Sequence, residues 1–340
     1  MSPRHRPKAL LVMQDRVFPE QFGPAELERL RTLADLGPDP TPVSELDSPA
    51  ARARLADAEV LITSWGCPRL DRDRLAAAPH LQAVFHCAGT VRSLVSDELW
   101  ARGIRVTTAA EENAEPVAQF TFAAIVFAGK KAPFLAQAAR SHREDWAYKH
   151  RSRAQLGNVD RTIGLIGFSR IGARVAQRLL SLQVQTLVYD PFVDADRIAA
   201  AGARRVELEE LLTSSDVVSV HAPQLPSTHH MLAAPQLALM RDGATLINTS
   251  RGSLVDTTAL EAECASGRLD AILDVTDPEP LPAGSILYDL PNVMITPHIA
   301  GSLGAETRMM SRRALTELAL YTEGLPAEEE VTSEAMGVMA

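Results

Sequence analysis

At 340 residues the chain is long enough for two domains with a core each, and its 46% hydrophobic and 23% charged content is ordinary for a soluble globular protein. A formal net charge of −9 argues against nucleic acid as a partner, because phosphate binding needs a basic face. No apolar run approaches the roughly eighteen residues needed to span a membrane. The cysteines, Cys67, Cys87 and Cys264, are odd in number and show no metal-ligand spacing. They suit a reduced, cytoplasmic protein with no bound metal.

Five apolar residues, Ala9 to Met13, follow Arg4, Arg6 and Lys8. They are too few for a signal-peptide core and suit a first buried strand. Pro24 to Leu36 reads as a helix, with Leu27, Leu30, Leu33 and Leu36 on one stripe and Gly37 as its end. Val60 to Thr63 is a strand leading into a tight turn at Ser64-Trp65-Gly66-Cys67-Pro68. Leu81 to Cys87 is another strand, ending at Ala88-Gly89-Thr90, and Ile104 to Thr107 is a fourth. Strand alternating with helix predicts a parallel sheet covered on both faces, with ligands beyond the carboxyl ends of its strands. The turns at 64–68 and 88–92 are either parts of such a site or ordinary surface turns.

Residues 114 to 129 predict a helix started by Asn113 or Ala114, with Pro116 in its first turn. It is apolar nearly all round, so it is buried or packs on another subunit. Arg140 to Arg161 is polar and irregular, contains Trp146 and Tyr148, and reads as a connecting loop.

The stretch from Arg161 to Asp190 has the shape that binds a dinucleotide. A strand at Ile163–Ile166 enters a glycine turn, Gly167-Phe168-Ser169-Arg170-Ile171-Gly172. Ile171, Val175, Leu179 and Leu182 then repeat at helical spacing, and a second strand from Val184 ends on Asp190. The turn lets backbone approach a pyrophosphate, and the exposed N–H groups of the helix start favour its charge. Asp190 is placed to accept hydrogen bonds from a ribose diol. Ser169 replaces the middle glycine of the fingerprint, as a small side chain that can donate to a phosphate oxygen.

Alternation then continues. Asp216 to His221 is a strand ending at Ala222-Pro223, and Ala244 to Asn248 is a strand ending at Thr249-Ser250-Arg251-Gly252. Asp256 to Ser266 is a helix, Leu269 to Val275 a strand, and Val293 to Thr296 a strand ending at Pro297-His298. A helix from Gly304 to Gly324 closes the fold, and the acidic tail from Pro326 to Ala340 is expected to be mobile. Arg251, Glu279 and His298 thus fall just beyond strand ends. Each alone has a plain role: a surface ion pair, a loop acid, a packed histidine. Together they supply what reduction of a 2-oxo acid needs. An arginine fork holds a carboxylate, a histidine protonates the carbonyl oxygen, and a carboxylate orients the histidine and favours imidazolium.

Three stretches resemble the signatures of the D-isomer-specific 2-hydroxyacid dehydrogenases: Thr249-Ser-Arg-Gly-Ser-Leu-Val-Asp256, Asp274-Val-Thr-Asp-Pro-Glu-Pro-Leu281 and Thr296-Pro-His-Ile-Ala-Gly301. The resemblance covers about residues 80 to 315. It implies an α/β fold of two Rossmann-like doubly wound parallel-sheet domains with an active-site cleft between them. Residues 1–112 and 302–340 would form the discontinuous substrate domain, and residues 113–301 the NAD-binding domain. It implies Arg251 as substrate anchor, Glu279 as the acid paired with histidine, and His298 as general acid/base. It places Ala222 and Pro223 by the adenosine, Thr249 and Asp274 by the nicotinamide, and Gly89 where N–H groups receive the substrate carboxylate. It also implies a homodimer formed through the NAD-binding domain, which would account for the apolar helix at 114–129.

This sequence departs from the family at Ser169, at Gln119 in place of a usual glutamate, and at Thr90-Val91-Arg92 after the glycine. Arg92 either reaches a second anionic group on the substrate or pairs with a surface acid such as Asp97 or Glu98. Trp65, Gly66 and Trp146 are candidates for the substrate walls. The resulting expectation is an NAD-dependent oxidoreductase acting on a small 2-hydroxy or 2-oxo acid. Two alternatives use the same scaffold, a formate- or phosphite-type dehydrogenase and a corepressor-like protein that responds to NADH.

Overall fold

The computed structural model describes residues 6–147 and 156–337, so Arg4, Tyr148 and the last three residues of the tail lie outside the described residues. The chain forms two units, residues 6–114 with 302–337 and residues 115–301. Strands β1 (Ala9–Val12), β2 (Val60–Thr63), β3 (Ala83–His86) and β4 (Arg105–Thr107) belong to the first unit. The second unit holds β5 (Arg161–Ile166), β6 (Val184–Tyr189), β7 (Arg204–Arg205), β8 (Val217–Val220), β9 (Thr245–Asn248), β10 (Asp270–Leu273) and β11 (Val293–Ile295). Strand β12 (Glu330–Val331) returns to the first.

In the first unit the order is β1-β2-β3-β4-β12, parallel from β1 to β4. Leu10, Val12, Leu61 and Val84 pack on one face. Leu11, Val60, Ile62 and Phe85 pack on the other, beneath Ala314, Leu315 and Leu318 of the Thr307–Thr322 helix. Burial on both faces is why these strands read as unbroken apolar runs. Short helices lacking a clear apolar period escape the sequence reading, yet side-chain caps define their starts. Ser48, Asp71 and Ser96 accept the amides of Ala51, Arg74 and Leu99 at the starts of helices Pro49–Asp57, Arg72–Ala76 and Asp97–Ala101.

Three expectations are corrected. The acidic tail is not loose throughout. β12 pairs antiparallel with β4, Val331 is 2% exposed, and the Glu328 and Glu329 amides donate to the Glu317 carboxylate at 3.2 and 3.1 Å. Two paired residues are too few to leave a period in the sequence. The apolar helix runs from Ala110 to Gly129, so Pro116 lies inside it rather than in its first turn. It buries Ala118, Ile125 and Ala128 but exposes Gln119, Ala123 and Phe127 along one line, so it is not buried all round. Part of the expected loop after Arg140 is the end of a helix, Ala132–His142, that follows Lys131 in a left-handed conformation.

The second sheet is ordered β7-β6-β5-β8-β9-β10-β11 and all its pairs are parallel. The chain order reverses between β5 and β8, which is where doubly wound sheets open a crevice for a ligand. Tyr189, Ile166, Val220, Asn248, Leu273 and Ile295 are successive partners across six strands, so those strands end level in one row.

At the opposite ends of β9 and β10, Lys131 Nζ donates to the Gly243 carbonyl at 2.6 Å and to Thr245 Oγ1 at 3.0 Å, and pairs with the Asp270 carboxylate. Burial raises the Asp270 carboxyl above its ordinary range, and Lys131 opposes that rise. Removing one member of such a pair strands the other charge in the interior. Lys131→Met is therefore expected to destabilise the unit by about 3 kcal/mol in denaturant titrations. Without Lys131 the folded protein holds a proton on Asp270 more tightly than the unfolded chain does. The deficit should accordingly narrow as pH falls from about 8 to about 5, and Asp270→Asn should recover part of it.

Candidate active site

Eight of the residues singled out in the second unit lie one to three positions beyond that row, and Glu279 lies six beyond Leu273. Gly167 follows β5, Asp190 follows β6, and Ala222 and Pro223 follow β8. Thr249 and Arg251 follow β9, Asp274 follows β10, and His298 follows β11. Alignment of the strand ends is what collects residues from six segments of chain onto one edge.

Gly167 has a φ of +97°, and a Cβ there would meet the Ala222 amide nitrogen at 2.7 Å and the His221 carbonyl oxygen at 2.9 Å. The turn can take this path only with glycine. Ser169 is the N-cap of the Arg170–Leu179 helix, at a φ of −78° that any residue adopts, and no side chain caps the helix. Its side chain is exposed, so the serine occupies no interior space that a cofactor phosphate would need. Arg170 and Ile171 form the first turn of the helix, and Gly172 is buried against the Gly167 carbonyl. The Asp190 carboxylate accepts the Phe168 amide at 2.7 Å and the Phe192 amide at 2.9 Å, which holds it beside the turn. An uncapped helix start, a glycine turn and a fixed carboxylate fit a dinucleotide.

Ala222 closes the facing side, and its carbonyl accepts the Ser250 hydroxyl at 2.7 Å. Thr249 is buried with its hydroxyl 2.8 Å from that of Thr121. His221 is buried beside Ser219, and burial lowers its pKa to about 3, so it stays neutral and packs as a core residue.

The His298 imidazole Nδ1 lies 2.6 Å from Glu279 Oε1, and both side chains are roughly half exposed. A carboxylate at Nδ1 selects the tautomer with the proton on Nδ1, which leaves Nε2 to exchange protons with a substrate. His298 has a φ of +55°, an uncommon conformation for a side-chain-bearing residue. Asp274 maintains it. This carboxylate, 2% exposed, accepts Thr296 Oγ1 at 2.6 Å and the Ile299 and Ala300 amides at 2.8 and 2.9 Å, while the Asp274 carbonyl accepts the His298 amide at 3.0 Å. Asp274 thus anchors the loop that carries the histidine.

Arg251 Nη1 donates to the Ser250 carbonyl at 2.6 Å. A Cβ on the next residue, Gly252, would meet the Thr276 carbonyl at 2.0 Å, so glycine lets the Arg251 turn lie against the segment leading to Glu279. Asn248 is a residue the sequence reading missed. Its amide donates to the Arg251 carbonyl at 2.9 Å and its oxygen accepts the Ser250 amide at 3.1 Å, so it shapes the arginine turn. Its place directly before the arginine motif was the available signal.

The other candidates lie in the first unit. Trp65 is 39% exposed and Gly66 has a φ of +88° in the turn after β2. Gly89 follows β3, with the Asn113 side chain 3.5 Å from where its Cβ would be. Arg92 Nη2 donates to the Met336 carbonyl at 2.5 Å, so its guanidinium contacts the C-terminal segment, while Glu98 pairs with Arg72 at 3.1 Å. Trp146, in the second unit, is 60% exposed and donates to the Arg143 carbonyl. Among the described residues no cluster of three or more metal-ligating side chains is present, and no helix is long and apolar enough to cross a membrane.

Comparison with known proteins bears on this geometry. The model of the NAD binding domain of D-isomer specific 2-hydroxyacid dehydrogenases matches residues 123–300. The chain is 35% identical over 268 residues to a glyoxylate reductase of Korarchaeum cryptofilum, covering 78% of this chain and 79% of that one. It is 32% identical over 292 residues to a D-3-phosphoglycerate dehydrogenase of Mycobacterium bovis, covering 85% of this chain but 53% of the relative. The chain therefore spans about half the length of that relative. The crystal structure of a phosphoglycerate oxidoreductase from Rhizobium etli aligns with a TM-score of 0.79 at 25% identity, over 97% of this chain and 100% of that one. A glycine turn at a switch point, a histidine–carboxylate pair on the same sheet edge and these matches make the chain a member of the D-isomer specific 2-hydroxyacid dehydrogenase family.

Proposed function

We propose that the protein is an NAD-dependent oxidoreductase that interconverts a small 2-hydroxy acid and its 2-oxo acid. The observation that carries this reading is the Glu279–His298 pair, held 2.6 Å apart at the carboxyl edge of the sheet that bears the dinucleotide turn. The bound nicotinamide supplies or accepts the hydride. Arg251 takes the substrate carboxylate and the neighbouring oxygen through its planar fork. His298 Nε2 gives a proton to the carbonyl oxygen during reduction and removes it from the hydroxyl during oxidation. Glu279 keeps the ring in one orientation and one tautomer. The amides of the Gly89 turn hold the other carboxylate oxygen. Arg92, already engaged with Met336, gives no support to a second anionic group on the substrate.

The exposed line of Gln119, Ala123 and Phe127, with Phe127 55% exposed, suits a homodimer formed through the NAD-binding unit. The free thiols Cys67, Cys87 and Cys264 suit a cytoplasmic protein.

Asp190 is fixed by two backbone amides and would face a 2′-phosphate with its own charge. A like-charge contact near 4 Å costs about 4 kcal/mol at an effective dielectric of about 20, and roughly half of that once solvent shares the site. NADH is therefore expected to bind at least tenfold more tightly than NADPH in fluorescence titrations, and equal affinities would count against the assignment of Asp190.

Reduction uses imidazolium and oxidation uses neutral imidazole, so activity in the two directions should respond to pH with opposite sign. His298→Ala should lose roughly a hundredfold or more of kcat while still binding NADH. Glu279→Gln removes the carboxylate that orients the ring, so kcat should fall while NADH affinity stays unchanged. The assay is NADH oxidation across a panel of 2-oxo acids. Absence of turnover on every member would overturn the proposed activity.

A further inference from the structure

Beyond β12 the chain turns back on the first unit. The Ala335 amide donates to Thr332 Oγ1 at 3.3 Å, and the Met336 amide donates to the Ser333 carbonyl at 3.3 Å. This turn sets the Met336 side chain, half-buried, against the core cluster that contains Val91, Leu94 and Val95. The Met336 carbonyl accepts Arg92 Nη2 at 2.5 Å. A charged donor makes such a bond stronger than one between neutral groups. Its acceptor is main chain, so the contact depends on the path of the C-terminal segment rather than on the identity of an acidic side chain.

Arg92 stands three residues after Gly89, and the stretch between them is tied at both ends. At its start the Ala88 carbonyl accepts the Ala109 amide at 3.0 Å. At its end Val91 is 3% exposed, and its carbonyl accepts the Leu94 and Val95 amides at 2.9 and 3.0 Å. The Arg92 amide donates back to Thr90 Oγ1 at 3.4 Å. Gly89 and Thr90 lie between these ties, only partly buried, and glycine leaves the backbone there soft. The path of the turn is therefore set by what holds its ends, and Arg92 joins one of them to a segment 244 residues away.

We propose that Arg92 is a positioning residue for substrate binding, which fastens the Gly89 turn to the C-terminal segment through the Met336 carbonyl, while the Met336 side chain keeps that carbonyl in place. The inference rests on the reading above that the Gly89 turn holds the substrate carboxylate. Arg92 then shapes the site without touching the substrate. Loosening the turn weakens the grip on the carboxylate equally in the ground and transition states, which raises KM and spares kcat.

The test is a double-mutant cycle on Arg92→Ala and Met336→Ser, with Arg92→Lys beside it. Each of the first two is expected to raise KM for the best monocarboxylic 2-oxo acid about fivefold, with kcat and the NADH Kd within about twofold of wild type. The double variant should stay near that fivefold, not reach the roughly 25-fold of independent effects. Arg92→Lys keeps a donor for the carbonyl and should lie within about twofold of wild type. Exchange at the bonded amides of Leu94 and Val95 reads the turn without turnover, and it should accelerate about tenfold in Met336→Ser as in Arg92→Ala. An arginine that bound a second anionic group would behave otherwise: Arg92→Ala would impair 2-oxoglutarate far more than glyoxylate, and Met336→Ser would impair neither. Should Arg92→Ala fail to fold, Met336→Ser carries the test through KM and exchange. That substrate-dependent pattern, independent effects in the double variant, or unchanged KM or exchange in Met336→Ser overturns the proposal. If wild type turns over no 2-oxo acid, the proposed activity falls, and exchange at Leu94 and Val95 alone then decides whether the C-terminal segment fastens the turn.

Discussion

Parallel pairing places the ends of six strands in a single row, from Tyr189 through Ile166, Val220, Asn248 and Leu273 to Ile295. Everything chemical in the second unit depends on that register. A shift of one residue in any pair would turn its side chains to the opposite face and move the residue beyond it by about 3.3 Å. The apolar residues on both faces resist such a shift, because Leu246 and Ile247 pack into different cores, as do Ala271 and Ile272. Core packing thereby sets the position of polar groups that never enter it.

From that edge, polar contacts complete the placement. Asp274 spends its whole carboxylate on the loop that carries His298, with three donors converging on two oxygens. Several charge-assisted hydrogen bonds of this kind can offset the roughly 1–3 kcal/mol cost of a left-handed non-glycine residue. The imidazole is then aimed by its backbone before Glu279 contributes. Glu279 and His298 are themselves about half exposed, so screening by water weakens their attraction, and the pair serves to orient and select a tautomer more than to stabilise the fold.

Much of this was legible in the sequence because strands buried on both faces leave unbroken apolar runs, and because the dinucleotide turn lies between two of them. The strands ending at Thr63, His86, Asn248 and Leu273 fall within the stretches read as strands. What escaped has a common cause, namely contacts made across long sequence separations. Val331 is buried because β4 lies beside it, and Lys131 is placed by Gly243 and Asp270, more than a hundred residues away. Arg92 reaches Met336 across 244 residues, which no local pattern could announce.

The substituted glycine fingerprint shows how steric compulsion differs among positions that a motif treats alike. At Gly167 a Cβ would strike backbone from β8, and at Gly172 it would lie 2.2 Å from the Gly167 carbonyl. Neither obstacle is a flexible side chain, so the backbone itself would have to shift. Ser169 stands between them at an ordinary φ with its side chain in solvent, and it opens a helix at a position where serine is a preferred residue. Two of the three positions are fixed by the fold of the protein alone, whereas the middle one is constrained only by how closely a phosphate must approach. That makes the middle position the one where a family can vary without rebuilding the turn. The hydroxyl of Ser169, left without a cap to make, is then available as a donor at the start of the helix.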